Sequence, residues 1–391
     1  MWRSAPELMA SITVAASIAQ RAGYGGHAWA LIQYLLGFRS LGYDVTFIDF
    51  LSPGMATDER GVPSRAAQAR SIDWFAREMG RAGLEGSYAL LLGGNGHSVG
   101  LSRVEVLERV ARSRFLLNVM GFIDDEEILE AAPRRVFLDI DPGFCQMWRE
   151  LGLADQFQGH DDFVTVAENI GRSDCAIPTC GIPWITTRPP VHLDSWRPVY
   201  GGEVITSVGS WRGPYAPVEY RGHSYGLRVH EFRKFAGLPR LTQGPFEVAL
   251  DIDPADSRDT ERLKRGGWGL SDPALVAGGP DRYRRYLQGS KAEVAIAKQM
   301  YVDTRSGWFS DRSACYLASG KPVLAQDTGF TDNYPVGRGL VSFGDLDEAV
   351  AGVEEIRADW DGHSRGARAL AEEYFDARKV LGAMLDRLGV G

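Results

Sequence analysis

The chain has 391 residues, 44% of them hydrophobic and 24% charged, which is enough for two domains of ordinary composition. A formal net charge of -8 weighs against a nucleic-acid backbone as the main partner, although a local basic groove can hide inside an acidic total. No run of 18 apolar residues marks a membrane span, and the opening segment, with Arg3 and Glu7, lacks the pattern of a secretion signal. Cys145, Cys175, Cys180 and Cys315 do not complete a zinc set, so all four read as reduced core thiols of a cytoplasmic protein.

In chain order, the apolar, β-branched run 11–19 predicts a buried strand, followed by a Gly-rich turn at 23–26 and a helix over 28–41. A strand at 44–50 completes the first β-α-β unit of a doubly wound sheet. Helices at 64–82 and 104–113 then alternate with strands at 88–92, 115–120, 136–140 and 163–167. Proline density rises over 178–198, as expected of a connector. A second α/β unit opens with a strand at 204–208, a loop over 209–222 and a helix over 227–236. Strands follow at 246–250, 292–297 and 322–325, with helices at 283–288, 310–319, 346–360 and 365–388. The expected fold class is α/β, with two Rossmann-like domains (1–190 and 200–364) facing across a cleft.

Two turns stand out chemically. In Ser306-Gly307-Trp308-Phe309-Ser310-Asp311-Arg312-Ser313, a glycine and small hydroxyls precede a helix. A helix start offers unpaired N–H groups and partial positive charge, and so seats a diphosphate without a metal. A plain N-cap on a core helix fits the same residues. In Gly23-Tyr24-Gly25-Gly26-His27, a histidine opens a helix whose N-terminus disfavours the imidazolium and keeps the ring able to accept a proton. Such a base needs an orienting carboxylate; Asp124, Asp139 and Asp141 stand at strand ends, and Asp124 is the first choice. Asp139 and Asp141, just before Pro142, read as loop caps rather than metal ligands. His97, in the loop 93–97, is a rival base. Arg212 is placed to pair with a diphosphate, with Lys298 and Lys321 as weaker choices, and Trp268 or Tyr286 to stack on a base.

The segment 306–330, SGWFSDRSACYLASGKPVLAQDTGF, resembles the donor-binding segment of GT-B glycosyltransferases: a Gly-Trp-x-Ser turn (Gly307, Trp308, Ser310), then Gly320, Pro322 and Val323. The segment 25–49, GGHAWALIQYLLGFRSLGYDVTFID, is similar to the opening unit of antibiotic-type and plant-type members, through His27, Gly42 and Val45-Thr46-Phe47. The resemblance implies a metal-independent sugar transfer from a UDP- or dTDP-sugar cosubstrate, with no other cofactor. It implies that His27 is the general base of an inverting reaction, and that residues 365–391 cross back onto the first domain. The expected donor set is Gly26, Arg212, Ser306, Gly307, Ser310, Asp311 and Arg312, with Gln326, Asp327 and Thr328 facing the sugar hydroxyls. Cys315 stands where many members carry a ribose-binding Glu, a role left to Asp311 or Glu293. Aromatic-rich loops lean the acceptor towards a small natural product. The alternatives are a sugar-nucleotide epimerase of the same fold, a transferase acting on a modified DNA base, a silent binding protein and a Rossmann oxidoreductase.

Overall fold

The computed structural model describes residues 9–57, 62–93 and 97–390. The opening segment up to residue 8 and the Gly94-Asn95-Gly96 part of the loop before His97 therefore lie outside the described residues.

The first half is built on β1 (Ser11–Ala15), β2 (Asp44–Leu51), β3 (Tyr88–Leu92), β4 (Ser98–Gly100), β5 (Leu116–Val119), β6 (Arg135–Asp139), β7 (Asp162–Thr165) and β8 (Ile185–Thr186). They form one sheet in the order β4-β3-β2-β1-β5-β6-β7-β8, parallel except for β4 against β3. The second half opens with β9 (Ile205–Ser210) and a hairpin of β10 (Val218–Tyr220) and β11 (His223–Tyr225). It continues through β12 (Phe246–Asp251), β13 (Trp268–Leu270), β14 (Ala292–Ala295), β15 (Val323–Gln326) and β16 (Leu340–Phe343). Its parallel sheet runs β13-β12-β9-β14-β15-β16.

The apolar runs read from the sequence are these strands because helices cover both faces; β14 and β15 are buried along their whole length. In each sheet the strand order reverses beside the first strand, between β1 and β5 and between β9 and β14. Ligands of open α/β sheets bind outside the strand ends at such points. The expected alternation holds, with element ends shifted: the helices at Gly25–Ser40 and Pro280–Gly289 are longer than read, and several strands are shorter. The run 11–19 is strand only to Ala15, and then bends through a tight turn at Ala19–Arg21. That turn is fixed by Asp49, buried on β2, whose carboxylate accepts the N–H groups of Ile18 and Ala19, both at 2.7 Å.

The expected last helix, 365–388, is interrupted. A helix at Trp360–Leu370 widens at Ala371–Phe375 and restarts at Ala377–Leu388. The break has a local cause: the Val191 N–H donates to the Phe375 carbonyl (2.7 Å) and the Ala377 N–H to the Val191 carbonyl (2.9 Å), which diverts the backbone groups that would continue the helix. The restarted helix lies on the first half. Leu381 packs where Gly37 has no side chain, and Arg134 donates to the Leu388 carbonyl at 2.6 Å. One hydrophobic core joins the first sheet, the Gly25–Ser40 helix, the Asp311–Ala318 helix and these C-terminal helices.

Candidate functional site

A cleft of about 710 Å³ lies between the C-terminal ends of the two sheets. Its first-half wall carries Ser17, Arg21, Gly26 and His27, together with apolar Val119, Met120, Phe122 and Ile140, and it ends at Asp141. Its second-half wall carries the Gly209–Gly213 loop, Tyr215, Arg228, Lys298, Tyr301, Trp308, Asp311 and Arg312.

The Gly25–Ser40 helix brings His27 to the cleft. Gly25 and Gly26 allow a close approach to the other half: a Cβ on Gly25 would sit 2.3 Å from the Gly279 carbonyl oxygen, and one on Gly26 would sit 2.8 Å from the Tyr283 ring. Trp29 Nε1 adds a bond to the Pro280 carbonyl at 2.9 Å. His27 donates Nε2–H to the Ser17 carbonyl at 2.5 Å, so Nδ1 is the nitrogen left to accept. Burial pushes the imidazole down to about 4, against the Ser17 bond, and Arg21 adds to the lowering, so the ring is neutral at pH 7. Asp124, expected to orient it, is exposed in the loop after β5 and does not line the cleft. A backbone carbonyl orients His27 instead.

The strand-end acids of β6 divide the work. Asp139 is buried and accepts from Gln146 (2.6 Å), Thr165 (2.9 Å) and the Asp141 N–H (3.1 Å), a loop-capping role, and burial raises it to about 6. Asp141 faces the cleft and crosses it: Lys298 Nζ donates to its two oxygens at 2.7 and 2.6 Å, and the Tyr301 hydroxyl donates to one of them.

Cationic groups gather at the end of β9. A Cβ on Gly209 would sit 2.2 Å from Arg228 Nη1 and 3.6 Å from Arg312 Nη1, so this glycine backbone lies directly against one guanidinium and close to another. Arg228 reaches the Ser210 carbonyl at 3.3 Å, while its Nε is buried with no partner among the described residues. Burial, with Arg312 alongside, lowers it to about 10. Arg312 turns back to Glu293; burial works against its charge, but Glu293, with Tyr283 and Asp311, more than compensates. Arg212 reaches the cleft mouth in a two-pronged pair with Asp256 at 2.8 and 2.6 Å. Asp311 opens the Asp311–Ala318 helix as a half-buried cleft residue, and desolvation holds its carboxyl above its usual range.

The turn at 306–313 divides. Trp308, Asp311 and Arg312 face the cleft, but Ser306 and Gly307 lie behind it, docked on Asn169 of the first half. The Asn169 N–H donates to the Ser306 carbonyl at 3.1 Å, and its side chain donates to the carbonyls of Arg305 (3.1 Å) and Gly329 (3.0 Å). Gly307 has φ +73, and a Cβ there would sit 2.7 Å from the Asn169 side chain; its own N–H is taken by the Thr328 carbonyl at 2.8 Å. Packing between the halves accounts for this glycine. Ser310, Gln326 and Thr328 border a separate space of about 10 Å³. Gln326 bridges Glu231 and the Ala297 N–H, Thr328 donates to the Trp308 carbonyl, and Asp327 accepts from Gly329 and Thr331 in its own loop.

Of the remaining candidates, Lys321 donates to the Gly201 carbonyl, Trp268 to the Ala236 carbonyl and Tyr286 to Glu247, none of them in the cleft. Cys315 is buried against Gln33, and His97 is exposed. Among the described residues, no group of three or more His, Cys, Asp and Glu is placed to hold a metal ion, and no helix is long and apolar enough to cross a membrane.

No protein-family model matches the chain, and no curated protein matches its sequence. Solved structures do. The chain is similar to an alpha-glucosyltransferase in complex with UDP, with a TM-score of 0.57 and 12% identity over 98% of this chain and 100% of the other. It is similar to an alpha-glucosyltransferase with UDP-glucose and DNA containing an abasic site (0.59, 13%, 97% and 99%). It is also similar to Anabaena HepE in complex with UDP (0.56, 11%, 97% and 100%). The chain has the GT-B fold. The two GT-B halves bring His27, Gly26, Arg212, Asp311 and Arg312 to one cleft, and leave Asp124, Ser306, Gly307, Ser310, Gln326, Asp327 and Thr328 outside it. Sequence reasoning did not single out Arg228 or Arg21. Neither sits in a motif, and the one available signal for Arg228 was its place at a predicted helix start, after Gly226.

Proposed function

We propose that this protein transfers a sugar from a nucleoside-diphosphate sugar to an acceptor bound against its first half. The observation that carries the reading is the convergence of Arg228, Lys298 and the Gly209–Gly213 backbone at the strand-order reversal of the second sheet, facing His27 across the cleft. Guanidinium, ammonium and close-approaching glycine backbone are the groups that hold a diphosphate, and they stabilise it most as the leaving group gathers charge. The neighbouring GT-B structures solved with UDP and with UDP-glucose support a uridine donor.

For the acceptor, the comparisons support a modified DNA base better than the small natural product suggested by the aromatic loops, since several of the similar alpha-glucosyltransferases were solved with DNA. The apolar wall of Val119, Met120, Phe122 and Ile140 suits a flat group such as a base withdrawn from its stack.

The test is calorimetric titration with UDP, dTDP, GDP and ADP, then release of nucleoside diphosphate from the matching sugar donors with a duplex carrying a hydroxymethylated pyrimidine or with small hydroxylated aromatics. Submillimolar binding of one nucleotide and acceptor-dependent release are expected; an epimerised sugar without transfer points to the epimerase alternative. The anomeric configuration of the product, read by NMR, decides between the inversion expected of a His27 base and retention. His27→Ala is expected to lower turnover by at least about a hundredfold with nucleotide affinity nearly unchanged. Unchanged turnover in that variant excludes His27 as the base.

A further inference from the structure

The contact between Asp141 and Lys298 spans the cleft. The acid belongs to the first half and the base to the second, and the pair bridges the two strand-end faces. Lys298 is well enclosed, with its ammonium 5.1 Å from the Phe144 ring centre, 5.2 Å from that of Tyr301 and 5.7 Å from that of Tyr215. Burial pulls its pKa down against the attraction of Asp141, and Arg228 and Arg21 stand close enough to add to the lowering. Tyr301 donates to the same carboxylate. A carboxylate gripped by an ammonium on both oxygens and by a hydroxyl on one presents the negative charge and paired acceptor oxygens of a phosphate edge. Beside it, Arg228 keeps a buried Nε without a partner among the described residues, so the set of donors around this point is larger than Asp141 alone satisfies.

We propose that Asp141 is a built-in surrogate for the donor diphosphate. It engages Lys298 and Tyr301 from the opposite half, and it yields Lys298 when a nucleoside diphosphate enters and brings Arg228 its missing acceptor. The inference rests on the reading of this cleft as a nucleotide-sugar site. Competition for one ammonium has two consequences. Nucleotide affinity is held below what the cationic set could reach, because only the fraction of molecules with Lys298 released is competent to bind. Release also frees the Asp141 carboxylate within the cleft and removes a bond between the halves, so donor binding and the relative position of the two halves become linked.

Titration of UDP by calorimetry tests this on the full chain. Asp141→Asn keeps the shape and removes the charge; if the surrogate state is favoured about ten to one, UDP binds about tenfold tighter than to the wild type. Asp141→Ser is expected to act in the same direction and covers the case in which the amide disturbs folding, which thermal melting reports. Lys298→Met weakens UDP binding, and the double variant Asp141→Asn/Lys298→Met shows none of the gain, because the competed group is gone. UDP binding that is equal or weaker in both Asp141 variants, with wild-type binding intact, overturns the surrogate role and leaves the proposed function standing. Failure of the wild type to bind any nucleoside diphosphate overturns both.

Discussion

Two of the places where the halves of this molecule meet are built on opposite principles. At the rear, Asn169 satisfies the carbonyls of Arg305 and Gly329, and Glu168 takes Arg188 at 3.0 Å and the Tyr334 hydroxyl, with Arg188 over the Tyr334 and Tyr374 rings. Donors and acceptors there are matched, as buried polar groups must be if they are not to cost stability. At the front, Arg228 is crowded by Arg312, a buried Nε of Arg228 and a buried oxygen of Glu293 have no partner among the described residues, and Lys298 borrows its counter-ion from the other half. Matching serves a joint; mismatch at a cleft stores binding capacity for a ligand, at the expense of the fold's own stability.

The largest effect should come from removing the mismatch. Arg228→Met is expected to weaken UDP binding by about 3 kcal/mol, roughly a hundredfold, the upper range for hydrogen bonds to a charged group. Because it deletes a cation crowded by Arg312 whose buried Nε has no partner among the described residues, it should also raise the melting temperature. A fall in both affinity and melting temperature would place Arg228 with the matched groups instead.

Next comes the rear joint. Gly307→Ala introduces a side chain at φ +73 against Asn169, and should cost about 2 kcal/mol of unfolding free energy in urea melts. Its UDP affinity, measured on the folded fraction, should stay close to wild type. A large loss of affinity with little loss of stability would return Gly307 to the phosphate site.

The smallest effect concerns His27. Its folded pKa, about 4, lies below the ordinary 6.5 of the unfolded chain. Between these values the unfolded state binds the extra proton, so stability falls as pH drops from 6.5 towards 4 and is fully retained above 6.5. His27→Gln should flatten that part of the stability curve when melts at pH 7.5 and pH 5 are compared; an unchanged slope would show that the ring is not shielded.

The alternation of strands and helices was legible because parallel strands covered on both faces must be continuously apolar, as in Tyr88–Leu92 and Val323–Gln326. Short elements were not. The hairpin Val218–Tyr220 with His223–Tyr225, the edge strand Trp268–Leu270 and the helix Ser257–Gly266 have too few residues or too polar a pattern to stand out. For the site, the sequence picked out His27, Asp311 and Arg312, because a helix start next to glycine is visible locally, and Arg212, because it stands in a glycine-flanked loop just after a strand. It grouped Ser306 and Gly307 with them, because a motif does not say which side of a turn faces the ligand.

What the sequence determined alone is the presence of two doubly wound α/β halves and the helix starts that border the space between them. The hydrophobic periods that specify strands and helices are local, and so are caps and glycine turns. The tertiary structure decided the chemistry of that space. Asp141 and Lys298 are 157 residues apart, and Asn169 meets Gly307 across 138 positions. Only the packing of one sheet end against the other made the first pair a charged bridge in the cleft and the second a sealed joint behind it, since charge pairing and steric fit depend on distance in space and leave no periodic mark on the chain.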